Sequence, residues 1–255
     1  MQNISILGSG WLGFPLAREL SVKYSIKLST TTQKNIERLT YSNIKTYLVN
    51  IDNKKDNIAR FLDSETLIVN IPSKNIDSFK EFAKKVKNSP IKKVIFISST
   101  SVYKDCNKSV KEDNTECYSS NNLLEIEKLF LEFSNIQTTV LRFGGLIGYD
   151  RNLVKYFQEK TVHNSKNRVN MIHRDDCIAI IKKLIKQEIF GDIFNCCATS
   201  HPTKEEFYTH CAANSEYKVP KFDNKSSNYK IIDNGKLKTR LNYKYIYDNL
   251  LDIKY

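Results

Sequence analysis

Short apolar runs and segments of helical periodicity take turns along most of this chain. Ile4-Ser5-Ile6-Leu7 reads as a buried strand, after which Leu12, Leu16, Ala17 and Leu20 recur on one helical face. Ile26-Lys27-Leu28 and Tyr47-Leu48-Val49 predict a second and a third strand, with a helix opening over Asn35 to Leu39 between them and a polar helix ending near Phe61 after them. Thr66-Leu67-Ile68-Val69 predicts a fourth strand, stopped at Ile71-Pro72, because the residue before a proline is pushed towards extended backbone. Ile76, Phe79, Phe82, Ala83 and Val86 keep helical spacing and precede a fifth strand, Val94 to Ile97, that ends in Ser98-Ser99-Thr100. A helix from about Asn121 to Phe133 leads to a sixth strand, Thr139-Val140-Leu141. The helix carrying Ile178, Ile181, Leu184 and Ile185 leads to a seventh, Ile193-Phe194-Asn195. Thr203-Lys204-Glu205-Glu206 is a capping box opening one more helix. Strands alternating with helices imply the α/β class, a doubly wound parallel sheet of about seven strands with crossover helices.

The first connection carries the most chemistry. Gly8-Ser9-Gly10-Trp11-Leu12-Gly13 stands between a strand and a helix, the context in which G-x-G-x-x-G binds a dinucleotide. Gly8 allows the tight turn, Gly10 lets backbone approach a pyrophosphate, and Gly13 lets the helix pack on the strand. The helix start then offers N–H groups to phosphate, and Pro15 in its first turn costs little. The motif makes the fold Rossmann-type. Residues 1–145 form the expected core, completed by about 170–198, with 146–169 and 199–255 as a smaller C-terminal substrate lobe.

An acidic residue at the end of the second strand would bind a ribose hydroxyl and repel a 2′-phosphate. Here stand Ser29-Thr30-Thr31-Thr32-Gln33-Lys34, with Arg38 further on. Hydroxyls and cations suit a phosphate, so Thr30, Thr31 and Thr32 point to NADP(H), with NAD(H) as the alternative.

Composition narrows the class without adding chemistry. Hydrophobic residues at 40% and charged residues at 27% are those of a soluble globular protein. No apolar run reaches the roughly 18 residues of a membrane span. Arg18 and the lack of a basic leader argue against a signal peptide, so a cytoplasmic location is expected. The net charge of +12 is spread along the chain without a basic arm, which implies a solvated surface and no nucleic-acid partner. Cys106, Cys117, Cys177, Cys196, Cys197 and Cys211 contain no C-x-x-C pair, so reduced thiols and no metal are expected. The expected partner is a small molecule, and a homodimer is an open option.

Five further blocks carry a family likeness. They are Ile97 to Tyr103 (I-S-S-T-S-V-Y), Leu141 to Gly148 (L-R-F-G-G-L-I-G), Ile172 to Asp176 (I-H-R-D-D), Ile193-Phe194-Asn195, and Lys230 to Leu237 (K-I-I-D-N-G-K-L). In this order, with the glycine start, the chain resembles the extended short-chain dehydrogenase/reductases, the NAD-dependent epimerase/dehydratase family. The G-x-G-W-L-G-x-P-L-A start is similar to its small, atypical YeeZ-type members. The resemblance implies an NAD(P)-dependent oxidoreductase or epimerase acting on a small polar, sugar or nucleotide-sugar substrate. Asn50 and Ile51 take the place of the family's Asp-hydrophobic pair beside adenine, with Asp52 the near alternative, and the resemblance adds Ile71, Pro72, Ser98 and Phe143 to the expected cofactor set. Ser99 falls at the family's catalytic Ser/Thr position, where its hydroxyl would meet a substrate oxygen.

The family's Tyr-x-x-x-Lys pair has no counterpart. Placing Glu127 on the family's helix glutamate puts Ser119 at the Tyr position and Leu123 at the Lys position. Tyr118 lies one residue off, with Asn122 four residues beyond it. Tyr118, Tyr103 and His173 are therefore the candidates for moving a proton, although His173, Asp175 and Asp176 also suit capping and packing at a helix start. Arg142 suits either a structural role or an anionic substrate. A catalytically inactive NADP(H)-binding sensor is the alternative function. A 6-phosphogluconate dehydrogenase-like reductase ranks lower, because strands near 140 and 193 extend the sheet.

Overall fold

The computed structural model describes residues 2–53 and 58–254. Seven strands form the central sheet: β1 (Asn3–Leu7), β2 (Ser25–Thr30), β3 (Ile44–Leu48), β4 (Thr66–Val69), β5 (Lys93–Ser99), β6 (Gln137–Phe143) and β7 (Ile193–Cys196). Their order is β7-β6-β5-β4-β1-β2-β3. The registers are parallel, with Ile6 beside Leu28, Leu7 beside Val69 and Val69 beside Phe96. At the far side Val140 N–H donates to Asp192 and Gly144 N–H to Cys196, so β6 and β7 also advance together. Strands covered on both faces need apolar runs, and all four residues of β4 are buried accordingly. The strand order reverses at β1 and β4, the place where open parallel sheets take ligands at their carboxyl ends.

The helices follow the periodicity. They are α1 (Gly13–Leu20), α2 (Asn35–Leu39), α3 (Ala59–Leu62), α4 (Ile76–Lys87), α5 (Asn122–Leu131), α6 (Arg174–Gln187), α7 (Lys204–Ala213) and α8 (Gly235–Leu241). The polar helix expected after β3 falls partly on residues 54–57, outside the described residues; Ala59–Leu62 is its described end, with Phe61 and Leu62 buried. Asn75 caps α4 by accepting from the Ser78 amide at 3.3 Å, and Lys84, Lys85 and Lys87 suit the negative end of its dipole. Phe79, Phe82, Phe96 and Phe130 pack with ring centroids 5.2–6.3 Å apart, fixing α4 and α5 on β5.

The chain divides into two compact units. One comprises Met1–Ser98, Ser120–Leu141 and Ile181–Ile193; the other comprises Ser99–Ser119, Arg142–Ile180 and Phe194–Tyr255. This differs from the division expected at 145, 170 and 198, and strand pairing gives the reason. Lys108–Val110 pairs with Lys230–Ile232, and Gly145–Ile147 pairs with Met171–His173, so these segments cohere with the later chain. The second unit has its own core of Ile147, Val154, Val162, Phe207, Cys211, Leu250 and neighbours. The capping box at Thr203 is present in both directions: Thr203 accepts from the Glu206 amide, and the Glu206 carboxylate accepts from Thr203 N–H.

The cysteines correct one expectation. Cys106 and Cys117 are joined in a disulfide, while Cys177, Cys196, Cys197 and Cys211 are buried free thiols. An antiparallel bridge between Tyr103 and Tyr118 folds the intervening segment back, which brings the two Cα atoms to 6.0 Å. A contact of that kind is invisible in the spacing of cysteines alone.

Asp176 ties down the end of the second unit. Its carboxylate is fully buried and accepts from Tyr243 O–H at 2.6 Å, Ile246 N–H at 2.7 Å and Tyr247 N–H at 3.1 Å. Burial raises its pKa, against the pull of these three donors. Asp176→Asn should place an amide donor against one of the existing donors and cost about 1–3 kcal/mol of stability. Urea unfolding of the variant checks this, with an unchanged midpoint counting against the role.

Candidate functional site

The glycine turn is built by the first unit alone. Gly8 has φ +105°, and a Cβ there would lie 2.2 Å from the Asn70 carbonyl oxygen. A Cβ on Gly13 would lie 1.9 Å from the Gly8 carbonyl oxygen, so α1 crosses β1 at backbone contact. Two neighbours hold the turn: Ser29 Oγ accepts from Gly8 N–H at 2.8 Å, and Asn70 N–H donates to Leu7 at 2.9 Å. Gly10 is different. Its φ is not positive, it is exposed, and a Cβ there would meet no described atom within 4 Å. Gly8 and Gly13 are demanded by the fold, whereas Gly10 is not. Leu12 precedes α1 without a side-chain cap, and the Phe14 amide donates to the Gly10 carbonyl at 3.2 Å.

The other expected cofactor residues are distributed unevenly. Ser9 and Trp11 are half-buried, and Leu12 is buried. Thr30 is buried, its hydroxyl accepting from Thr32 N–H at 3.3 Å, while Thr31 is exposed and Thr32 half-buried. Asn50 is exposed and its amide oxygen accepts from Asp52 N–H; Ile51 is buried. Ile71 is half-buried and Pro72 exposed after β4. Ser98 is buried and donates to the buried Glu127 carboxylate, which commits its hydroxyl within the core. All of these lie in the first unit; Phe143, also buried, lies in the second. Ser29 and Asn70 escaped the sequence analysis as turn supports, since a serine and an asparagine at strand ends carry no distinctive pattern.

The four candidate catalytic residues all lie in the second unit. Ser99 is half-buried and its Oγ accepts from Ser101 N–H at 3.1 Å, which leaves its O–H to donate. Tyr103 is buried, donating to Asn195 Oδ1 at 2.8 Å and accepting from Arg142 at 2.6 Å. Burial pushes its phenol pKa up, with the guanidinium opposing. Tyr118 is half-buried; its hydroxyl donates to the Glu112 carbonyl at 2.9 Å and meets both Arg142 terminal nitrogens at 3.3 Å. Arg142, only 1% exposed, therefore gathers two phenols. The Glu112 carboxylate accepts from Asn195 N–H at 2.7 Å, and burial raises its pKa against that hydrogen bond. Glu112 was missed because its strand partner is remote in sequence.

His173 serves packing. It is buried, its Nδ1 accepts from Asp175 N–H at 3.2 Å, and its ring lies 3.8 Å from Tyr247 and 5.5 Å from Tyr149. A Cβ on Gly148, whose φ is +109°, would fall 2.1 Å from its Nε2.

Ser119 and Leu123 fall on different local structure. Asn121 caps α5, accepting from Leu123 and Leu124 amides, and the helix starts at Asn122. Ser119 precedes it, donating its hydroxyl to Val102 O at 3.0 Å, and Tyr118 has extended backbone. Ser119 and Leu123 thus share no helix face. The Asn121 cap decides this, because it stops the helix two residues after Ser119.

A doubly wound parallel sheet with a glycine turn after β1 defines a Rossmann-type protein, and the comparisons specify it further. No family model matches the chain. Protein YeeZ of Escherichia coli (strain K12) is 30% identical over 98% of this chain and 98% of its own length. UDP-glucuronic acid 4-epimerase from Bacillus cereus, solved with UDP-glucuronic acid and NAD, is 20% identical and superposes over 98% of this chain and 96% of its own with TM-score 0.81. A putative NAD-dependent epimerase/dehydratase from Methylobacillus flagellatus is also 20% identical, over 98% of this chain and 95% of its own, with TM-score 0.78. The chain belongs to the same family as protein YeeZ, and its likeness to the NAD-dependent epimerase/dehydratases is one of fold.

Two outcomes follow from this geometry. Gly13→Ala should lose about 1–3 kcal/mol or more through backbone overpacking, whereas Gly10→Ala should stay within about 0.5 kcal/mol of the parent. Chemical denaturation of both variants measures the contrast. For His173, burial lowers the pKa, with Asp175 and Asp176 opposing. The unfolded chain then takes up the proton first, so stability is lost as pH falls below about 6.5. His173→Asn should flatten that loss, by at most about 1.4 kcal/mol per pH unit, in melts between pH 7.5 and 5.5.

Proposed function

We propose that this chain binds a nicotinamide dinucleotide at its glycine turn and acts on a small polar substrate, of sugar or nucleotide-sugar type, as an NAD(P)-dependent oxidoreductase or epimerase. Gly10 carries the reading. The fold needs no glycine there, and open space over Gly10 beside an uncapped helix start fits a pyrophosphate. Structural relatives bound to NAD support the same cofactor class. Exposed Thr31, half-buried Thr32, and Lys34 and Arg38 favour a 2′-phosphate, so NADP(H) is the preferred form.

When bound, the nicotinamide supplies hydride exchange. The chain's part is to position and to move a proton. Ser99 offers its O–H to the substrate oxygen. Of the other candidates, Tyr103 and His173 are committed to the interior, and Tyr118 remains, half-buried against the Arg142 guanidinium. The spread positive charge assists an anionic substrate. A binding module without turnover is the second reading, favoured by Leu123, an apolar and buried residue where the family's lysine would stand.

NADPH should raise the melting temperature more than NADH at equal concentration, because stabilisation grows as RT ln(1 + [L]/Kd). Equal shifts would refute the phosphate preference alone. Trp11 is the chain's single tryptophan, so its fluorescence reports on the turn directly. Cofactor should quench it, and Gly10→Val should abolish the quenching while the circular dichroism is retained. A folded Gly10→Val variant with parental affinity would exclude the turn as the site. Once a substrate is found, Ser99→Ala should lower kcat by roughly 100-fold or more. Persistent cofactor binding without turnover of any sugar or carbonyl substrate would favour the second reading.

A further inference from the structure

The Cys106–Cys117 disulfide lies on the segment that carries the phenol of Tyr118. Its two cysteines are 11 residues apart, and the loop they close holds much of the second unit's polar stitching. Within it, Lys108–Val110 pairs with Lys230–Ile232, the Val110 carbonyl accepts from Asn195 Nδ2, and the Glu112 carboxylate accepts from Asn195 N–H. The Glu112 carbonyl receives the Tyr118 hydroxyl, and Tyr118 follows Cys117 directly. The two sulfurs are unequal: Cys106 is half-buried, whereas Cys117 is fully buried. The remaining thiols are all buried, and burial raises the pKa of Cys177, Cys196 and Cys197, which keeps them unreactive.

We propose that Cys106–Cys117 is a reversible redox clasp, whose reduction loosens residues 111–118 and with them the seating of Tyr118 on Arg142. A thiolate of a small dithiol reaches the Cys106 sulfur, and Cys117 leaves as a thiolate and takes up a proton. The reagent's second thiol then attacks the mixed disulfide and releases Cys106 as a thiol. Two electrons pass from the dithiol, which becomes a cyclic disulfide. The segment's ends stay pinned without the disulfide. Lys104 N–H donates to Cys117 O at 2.8 Å, Ser119 N–H to Val102 O at 2.8 Å, and Asn107 N–H to Tyr229 O at 2.8 Å. Reduction therefore acts locally. The proposal is independent of the nicotinamide reading, since it concerns order in one segment and needs no cofactor.

The test uses the full chain and dithiothreitol. Native protein treated with N-ethylmaleimide should show no adducts by intact mass, and two after reduction, at Cys106 and Cys117. In reduced, unalkylated protein, hydrogen exchange of amides 111–118 should quicken by about tenfold or more, with β1–β4 unchanged, and oxidised glutathione should restore the slow rate. Cys106→Ser should exchange like the reduced protein in either buffer. Alkylation of both cysteines without reductant would overturn the proposal, as would identical exchange in the two states. Accelerated exchange across β1–β4 would also overturn it, showing a structural staple in place of a local clasp.

Discussion

Backbone contact between α1 and the turn before it sets the geometry of the first unit. The helix can descend onto β1 only because Gly13 presents no side chain to the Gly8 carbonyl. Gly8 can turn only because it adopts a φ open to glycine and lies against the Asn70 carbonyl. The central strands enter through this contact: Ser29 at the end of β2 holds the Gly8 amide, and Asn70 after β4 holds the end of β1. Close packing here leaves a short turn and an uncapped helix start at the carboxyl end of the sheet, where the strand order reverses. A helix start placed there presents the positive end of its dipole, which favours an anion.

The second unit rests on a different constraint, the satisfaction of buried polar groups. Burying the Arg142 guanidinium would be expensive without hydrogen-bond partners. Two phenols and a carbonyl are among those that meet it. Asn195 and Glu112 extend the same network, and Asp176 repeats the principle with three donors around one carboxylate. Residues that look like acid–base candidates in a linear sequence are here partly consumed by structure. Tyr103 and His173 show this most clearly, whereas Ser99 and Tyr118 keep some surface.

Ser119 and Leu123 fall on different local structure within this YeeZ-type chain. Cap chemistry is one cause. Asn121 is a strong N-cap, so α5 begins after it, and Ser119 falls in the extended lead-in tied to Val102. Leu123 then packs inward as an apolar residue of the first helical turn. Side chains at positions 119 and 123 are therefore not carried on one helix.

The sequence by itself determined the periodic features: seven strands, the crossover helices, the capping box at Thr203 and the glycine turn. Each is encoded within a few neighbouring residues, by alternation, helical spacing or a backbone conformation that only glycine reaches readily. Tertiary structure alone decided which polar residues are used up and which remain. Asn70, Ser29 and Glu112 gained their roles from partners between 21 and 83 residues away. The disulfide arose because a bridge between Tyr103 and Tyr118 folds the segment back, and 99–119 joins the second unit because its strand pairs near residue 230. Such contacts depend on which remote segments the sheet and its loops bring together, and no local pattern of residues records that.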